Sequence, residues 1–247
     1  MPDLSNIHGK LSNGKKKFAC LIDPDNYSPG GIEGIAKAAG EAGVDFVLYG
    51  GSLVLEDNHK QYISILKKYC RVPVILFPGN LLQINDEADG LLLLSLISGR
   101  NPEMLIGKHV IAAPFLKASH LEILPTGYML IESGYPTTVS YMSNTLPIPA
   151  GKDDIAMCTA MAGEFLGLHL IYMDAGSGAE NPVRLSMIKK VRQNISIPLI
   201  IGGGIRTPEQ AREAAMAGAD LIVAGNAIEK DPGLVVSMCN AVHSLNE

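Results

Sequence analysis

The stretch PLIIGGGIRTPEQAREAAMAGADLIVAGN, residues 198–226, reads as strand, helix, strand. PLIIGG (198–203) is a continuous apolar run of strand length, and it leads into Gly204 as a third consecutive glycine. Thr207-Pro208-Glu209-Gln210 then forms a capping box with Pro at the first helical position, where a missing N–H costs nothing. Gly218 stops the helix as a C′ glycine. LIVAG (221–225) is a second apolar run. Neither run alternates apolar with polar, as expected of parallel strands covered on both faces.

The same pattern recurs along the chain. Apolar runs lie at FACLID (18–23), FVLYG (46–50), PVILFP (73–78), GLLLLSL (90–96), GYMLIE (127–132) and HLIYMD (169–174). Ser28-Pro29 reads as N-cap and N1 of a helix carrying Ile32, Ile35, Ala36 and Ala39. Asn181-Pro182 repeats that signal before Leu185, Ile188 and Val191. There is also an internal echo: AGVDFVLYG (42–50) against AGADLIVAG (217–225), which favours a repeated αβ unit. Eight strands with helices between them predict an α/β fold, a (β/α)8 TIM barrel, as one domain over residues 1–247. A doubly wound sheet is the alternative. PGNLLQINDEAD (78–89) is too short for a helix and two loops, so the third helix is expected to be degraded or replaced by a loop. Residues 133–168 carry Pro136, Pro147, Pro149 and Gly151, which predicts a loop over the barrel mouth and then a helix from about 153 to 167.

Composition narrows the partners. The formal net charge of −5 gives no bulk electrostatic case for nucleic acid. Cys20, Cys70, Cys158 and Cys239 are far apart and lack a C-x-x-C spacing, which fits reduced thiols in a cytoplasm. The six His show no zinc-type spacing. The N-terminal MPDLSNIHGK has no apolar signal region, and LLLLSLI (91–97) is too short to be a transmembrane segment.

In such a barrel the C-terminal strand ends face the active site. Here those ends carry Asp23 and Asp25, Gly50-Gly51-Ser52, Glu132, Asp174 with Gly176-Ser177-Gly178, Gly202-Gly203-Gly204, and Gly225-Asn226. Small residues let backbone N–H groups approach a phosphate, and the loops after strands 7 and 8 are its usual seat. The plain alternative is that these glycines only make tight turns. A carboxylate beside a phosphate repels it, so Asp23 makes sense with an intervening cation such as Mg2+, to which Ser52 could add a hydroxyl oxygen. Asp25 reads instead as a turn and cap residue before the Ser28 helix. Asp174 is a candidate base or hydroxyl-orienting group, or a turn Asp bonding its own backbone. Tyr172 alternates with it, so both side chains point the same way and could reach one polar ligand. Glu132 has the weaker claim, and Lys15-Lys16-Lys17 reads as solvated surface opposite the site.

The set LIDPD, YGGS, YMDAGSGAENPV, IIGGGIRTPEQA and AGADLIVAGNAIE resembles the geranylgeranylglyceryl phosphate synthases, whose superfamily includes the bacterial heptaprenylglyceryl phosphate synthases. The resemblance covers nearly the whole chain and keeps the motif order. It implies transfer of a prenyl group from geranylgeranyl diphosphate to the 3-hydroxyl of sn-glycerol 1-phosphate, assisted by Mg2+, with diphosphate leaving. It would place Mg2+ on Asp23 and Ser52. Glycerol phosphate would lie on Tyr172, Met173, Asp174, Ala175, Gly176, Ser177 and Gly178, with Gly203, Gly204, Gly225 and Asn226. The catalytic candidates are Asp174 and Tyr172. The family pattern Y-x-E-A-G-S-G has Glu where this chain has Asp174, one methylene shorter. The loop SGYPTTVSYMSNTLPIPAGKDD is similar to the archaeal-type branch, which favours a C20 donor over C35. A divergent phosphosugar-binding barrel is the alternative of a different class; it would need an acid–base pair at the strand ends that the sequence does not offer. The family also implies a homo-oligomer, a dimer or hexamer, and a missing helix would leave apolar surface that favours self-association.

Overall fold

The computed structural model describes residues 6–55 and 58–247. The N-terminal residues 1–5, part of the segment read as lacking a signal, lie outside the described residues. Eight parallel strands close a barrel in chain order: β1 (Lys17–Ile22), β2 (Phe46–Tyr49), β3 (Val74–Leu76), β4 (Gly90–Leu96), β5 (Glu122–Leu130), β6 (Leu170–Asp174), β7 (Leu199–Gly202) and β8 (Leu221–Ala224). The doubly wound alternative is thereby excluded.

Side chains alternate between two cores, as a parallel barrel requires. Ala19, Phe46, Leu48, Ile75, Leu124 and Val223 are among those filling the barrel, whose lower end is plugged by Ile7 and Leu11 of α1 (Ile7–Leu11). Phe18, Val47, Val74, Met129, Ile171 and Ile222 face the outer helical layer. That layer holds α2 (Pro29–Ala42), α3 (His59–Cys70), α4 (Lys108–Ala118), α6 (Asp153–Phe165), α7 (Leu185–Arg192), α8 (Pro208–Ala217) and α10 (Leu234–His243), while the short α5 (Thr138–Ser143) and α9 (Asn226–Lys230) lie at the barrel mouth. Ser28 caps α2 through Gly31 N–H, Thr207 caps α8 through Gln210 N–H, and Gly43 ends α2 in the left-handed region. No described helix is long and apolar enough to cross a membrane.

The echoed Asp residues have a common role. Asp45 Oδ2 accepts from Phe18 N–H, and Asp220 Oδ2 from Leu199 N–H. Asp89, outside the echo, takes Val74 N–H in the same way. Each Asp stands just before a strand and satisfies the first N–H groups of the preceding one, which have no ladder partner at the barrel's lower rim.

Between β3 and β4 there is no α-helix, only a 3-10 turn at Leu81–Gln83, as the short segment predicts. β3 pairs with β4 only at Ile75–Gly90 and Leu76–Leu91, whereas β5 pairs with all seven residues of β4. Residues 92–96 therefore overhang β3.

Three local expectations are corrected. β5 begins at Glu122, not 127, and contains Pro125. Pro125 turns its backbone toward β6 just below where β6 begins, so its missing N–H costs no ladder bond. Asn181-Pro182 does not start α7, which begins at Leu185; Asn181 instead donates its N–H to Ser133 O, and the pair packs against Gly204. Lys17 is not solvated surface: it opens β1, is buried, and donates to Asn13 Oδ1 and Lys15 O.

Candidate active site

The loops after β1, β2, β6, β7 and β8 converge on one cavity of about 520 Å³ at the upper mouth of the barrel. Asp23, Ser52, Asp174, Ser177, Gly178, Gly203, Gly204, Gly225 and Asn226 all line it. The sequence places these residues up to two hundred positions apart, and the fold brings them together.

Asp174 ends β6 with its side chain inside the barrel. Its Oδ1 accepts from Gly176 N–H at 2.7 Å, a turn closed on its own backbone. Its Oδ2 accepts from the hydroxyl of Tyr128, on β5, at 2.6 Å. The turn reading is thereby borne out, and it leaves acceptor capacity for a ligand, because a carboxylate has about four acceptor sites. Burial pushes the Asp174 carboxyl up from its ordinary value, and the bonds from Tyr128 and Gly176 pull it partly back. The loop around it depends on glycine. Gly176, Gly178, Gly203 and Gly204 all have positive φ. A Cβ on Gly203 would come within 2.6 Å of both Asp174 Oδ1 and the Gly176 nitrogen.

The remaining residues of this segment sit elsewhere. Met173 points into the outer layer, and Ala175 is buried there with its N–H donated to Gly202 O. Tyr172 lies deeper than expected. Its ring stacks on Phe77 with centroids 5.1 Å apart and meets Tyr128 edge-on, and it does not line the cavity. Tyr128, not Tyr172, stands on the cavity wall. The signal for it was only a Tyr inside an apolar run, which a buried aromatic also explains.

Asp23 caps a 3-10 turn (Pro24–Asn26) by accepting from Asp25 N–H. Asp25 does not cap the Ser28 helix; its carboxylate accepts from Leu55 N–H and ties down the loop after β2. A Cβ on Gly51 would approach Asp23 Oδ2 to 2.7 Å, so glycine there lets the loop pass the carboxylate. The Asp23 carboxyl is pushed up to about 6, chiefly by burial, with the charges of Asp25 and Glu229 adding and the Asp25 N–H offsetting. Such a carboxylate is short of positive charge. Among the described residues no three His, Cys, Asp or Glu side chains form a metal cage. A cation here would have one carboxylate, the Ser52 hydroxyl and exchangeable oxygens, a donor set that fits Mg2+. Gln83, which the sequence did not mark, is buried and joins the two neighbouring loops: it accepts from Gly51 and Gly79 N–H and donates to Gly51 O. Glu132 is exposed and accepts from Ala150 N–H, apart from this cavity.

From the Asp23 side the cavity continues past residues 78–80 and down the outer face of β4. Leu81, Ile84, Leu91, Leu93, Ala112 and Leu116 line this arm. It occupies the space where the third helix of a regular barrel would pack, and α4 forms its far wall. A polar, glycine-lined pocket and an apolar groove thus share one opening.

The PcrB family model matches residues 12–244. The chain is 54% identical over 238 residues to the geranylgeranylglyceryl phosphate synthase of Spirosoma linguale, covering 96% of this chain and 95% of that protein. It is 43% identical over 225 residues to the enzyme of the same name from Thermococcus kodakarensis, covering 91% and 88%. Its fold superimposes on the crystal structure of (S)-3-O-geranylgeranylglyceryl phosphate synthase from Thermoplasma acidophilum in complex with sn-glycerol-1-phosphate, with a TM-score of 0.89 and 33% identity over 96% of this chain and 97% of that one. With matches that run almost end to end at these identities, the chain belongs to the PcrB family.

Proposed function

We propose that this protein is a geranylgeranylglyceryl phosphate synthase, joining a C20 prenyl group to the 3-hydroxyl of sn-glycerol 1-phosphate with release of diphosphate. The observation that carries the reading is the shared opening: a phosphate-sized cradle of positive-φ glycines around Asp174, facing an apolar groove across Asp23. The name carried by relatives of up to 54% identity supports it, as does the glycerol phosphate complex of the Thermoplasma enzyme.

In this reading the C–O bond forms between the glycerol 3-oxygen and prenyl C1 as the bond from C1 to diphosphate breaks. Asp174 orients the hydroxyl and accepts its proton; its raised carboxyl suits it to that task. Tyr128 holds Asp174 in place. The rings of Phe77 and Tyr128 line the cavity and offer π-faces to positive charge developing at C1. Ser177, Gly178, Gly203, Gly204, Gly225 and Asn226 surround the phosphate of the acceptor, and Tyr172 packs behind Phe77 and Tyr128. Asp23 and Ser52 would hold Mg2+. Bound there, Mg2+ supplies charge neutralisation for the leaving diphosphate. A cytoplasmic location and a homo-oligomer belong to the same proposal. Ile106, Val110, Ile111 and Phe115 are exposed on and just before α4, a face suited to self-association.

The test is incubation of the protein with labelled sn-glycerol 1-phosphate and a panel of prenyl diphosphates, with and without Mg2+. A Mg2+-dependent ether product, best with the C20 donor, is expected. No ether product with any donor from folded protein overturns the reading, and a best product with a C35 chain overturns the choice of donor.

A further inference from the structure

Two loops meet over the barrel mouth through one side chain. Glu229 lies three residues after Asn226 in α9, on the same helical face. Its Oε2 accepts from Asn226 Nδ2 at 3.3 Å, and its Oε1 accepts from Asn26 Nδ2 at 3.1 Å. Asn26 closes the 3-10 turn that Asp23 opens. Asn226 Oδ1 in turn accepts from Gly178 N–H at 3.0 Å and from the Ser177 hydroxyl at 3.2 Å. One unbroken run of hydrogen bonds therefore joins the turn after β1 to the loop after β6, and Glu229 is its central link.

The donor inventory fixes which way Asn226 faces. An ionised carboxylate only accepts, so the amide NH2 must turn to Glu229 and the amide carbonyl to Gly178. Without the carboxylate, the NH2 group could rotate toward the Gly178 N–H, a donor facing a donor. A carboxylate at this place otherwise carries an electrostatic cost, because it stands near Asp23 and on the wall of a pocket read as taking phosphate. Its value lies in serving two amides that belong to different loops.

We propose that Glu229 is a positioning residue: it sets the amide orientation of Asn226 and holds the Asp23 turn against the loop that receives glycerol phosphate. The proposal rests on the functional reading above. Glu229→Leu removes both acceptors at similar volume. Glu229→Gln keeps an acceptor for Asn226, and Asn26 can turn its amide oxygen to the new NH2, so both links are retained.

The experiment measures sn-glycerol 1-phosphate affinity of the full chain by titration calorimetry without Mg2+, and KM and kcat with Mg2+, for wild type, Glu229→Leu and Glu229→Gln. Thermal unfolding of each confirms that it is folded. Glu229→Leu is expected to weaken affinity and raise KM about tenfold while kcat stays within about twofold. Glu229→Gln is expected to recover most of that loss. Unchanged affinity and KM in Glu229→Leu overturn the proposal, and so does an equal loss in Glu229→Gln. A wild-type chain that binds no glycerol phosphate overturns the functional reading itself, and that control separates the two failures.

Discussion

The hydroxyl of Tyr128 donates to Asp174 Oδ2 across 2.6 Å, from one strand to the next inside the barrel. This bond favours the ionised carboxylate, against a burial that disfavours it. Tyr128→Phe removes the bond and lets the Asp174 value rise further. Less of the acid is then ionised at neutral pH, so the acidic limb of the pH–rate profile moves to higher pH. A drop in kcat of roughly 10- to 100-fold at pH 7 is expected. The raised carboxyl also enters stability. Its contribution is fully present below the ordinary carboxylate value of about 4 and is lost as pH rises through the folded value. The variant should therefore unfold at nearly the wild-type temperature at acidic pH and fall behind toward neutrality.

Asp174→Glu restores the acid of the family pattern but not the space for it. Oδ1 already meets the Gly176 N–H at 2.7 Å, and the loop after β7 closes over it at Gly203. An added methylene breaks the turn with Gly176 and overpacks a buried site, at about 1–3 kcal/mol. Slower turnover and a lower urea midpoint are expected. Faster turnover would show that the shorter acid is a handicap.

If Asp23 holds Mg2+ as proposed, its value near 6 makes that binding pH-dependent. Protons and Mg2+ compete for the same carboxylate, so the Mg2+ concentration for half-maximal rate should rise as pH falls through about 6. Asp23→Asn should abolish Mg2+-dependent turnover and leave glycerol phosphate binding in place. Without a cation, stability from Asp23 is present below about pH 4 and lost as pH rises through about 6. Asn escapes that loss and can keep the bond from Asp25 N–H. In EDTA the variant should melt above wild type at pH 7 and level with it at pH 4.

Ala112 lies on the inner face of α4, buried against the groove. Ala112→Phe fills the groove below the opening and leaves the polar pocket untouched. The preferred donor should become shorter than C20, read from product chain lengths by mass spectrometry. KM for glycerol phosphate should stay within about twofold.

What could be read in the sequence was local. Ser28-Pro29, Thr207-Pro208 and Gly218 carry caps and stops whose partners lie within a few residues, and the structure has them there. The shortness of residues 78–89 announced the missing helix. Asn181-Pro182 misled because the same two residues serve a tertiary contact, with Ser133 and Gly204, in place of a cap. The strand ends named Asp23, Asp174 and the glycines, since chemistry on this fold gathers at one rim. Tyr128, Gln83 and Glu229 stayed hidden. Each bonds at least one partner between 32 and 203 positions away, and nothing near it in sequence marks that pairing.

The gap between β3 and β4 gives one strand two separate tasks. On β4, Leu92 and Leu96 pack in the barrel interior, while Leu91 and Leu93 pack with the outer layer, and all four also line the cavity. Adjacent residues thus answer to different selective pressures. A change at 91 or 93 alters the shape offered to a hydrocarbon chain and leaves the inner packing as it was. Chain-length preference in this architecture can drift by steps of one residue, without passing through a barrel that fails to close.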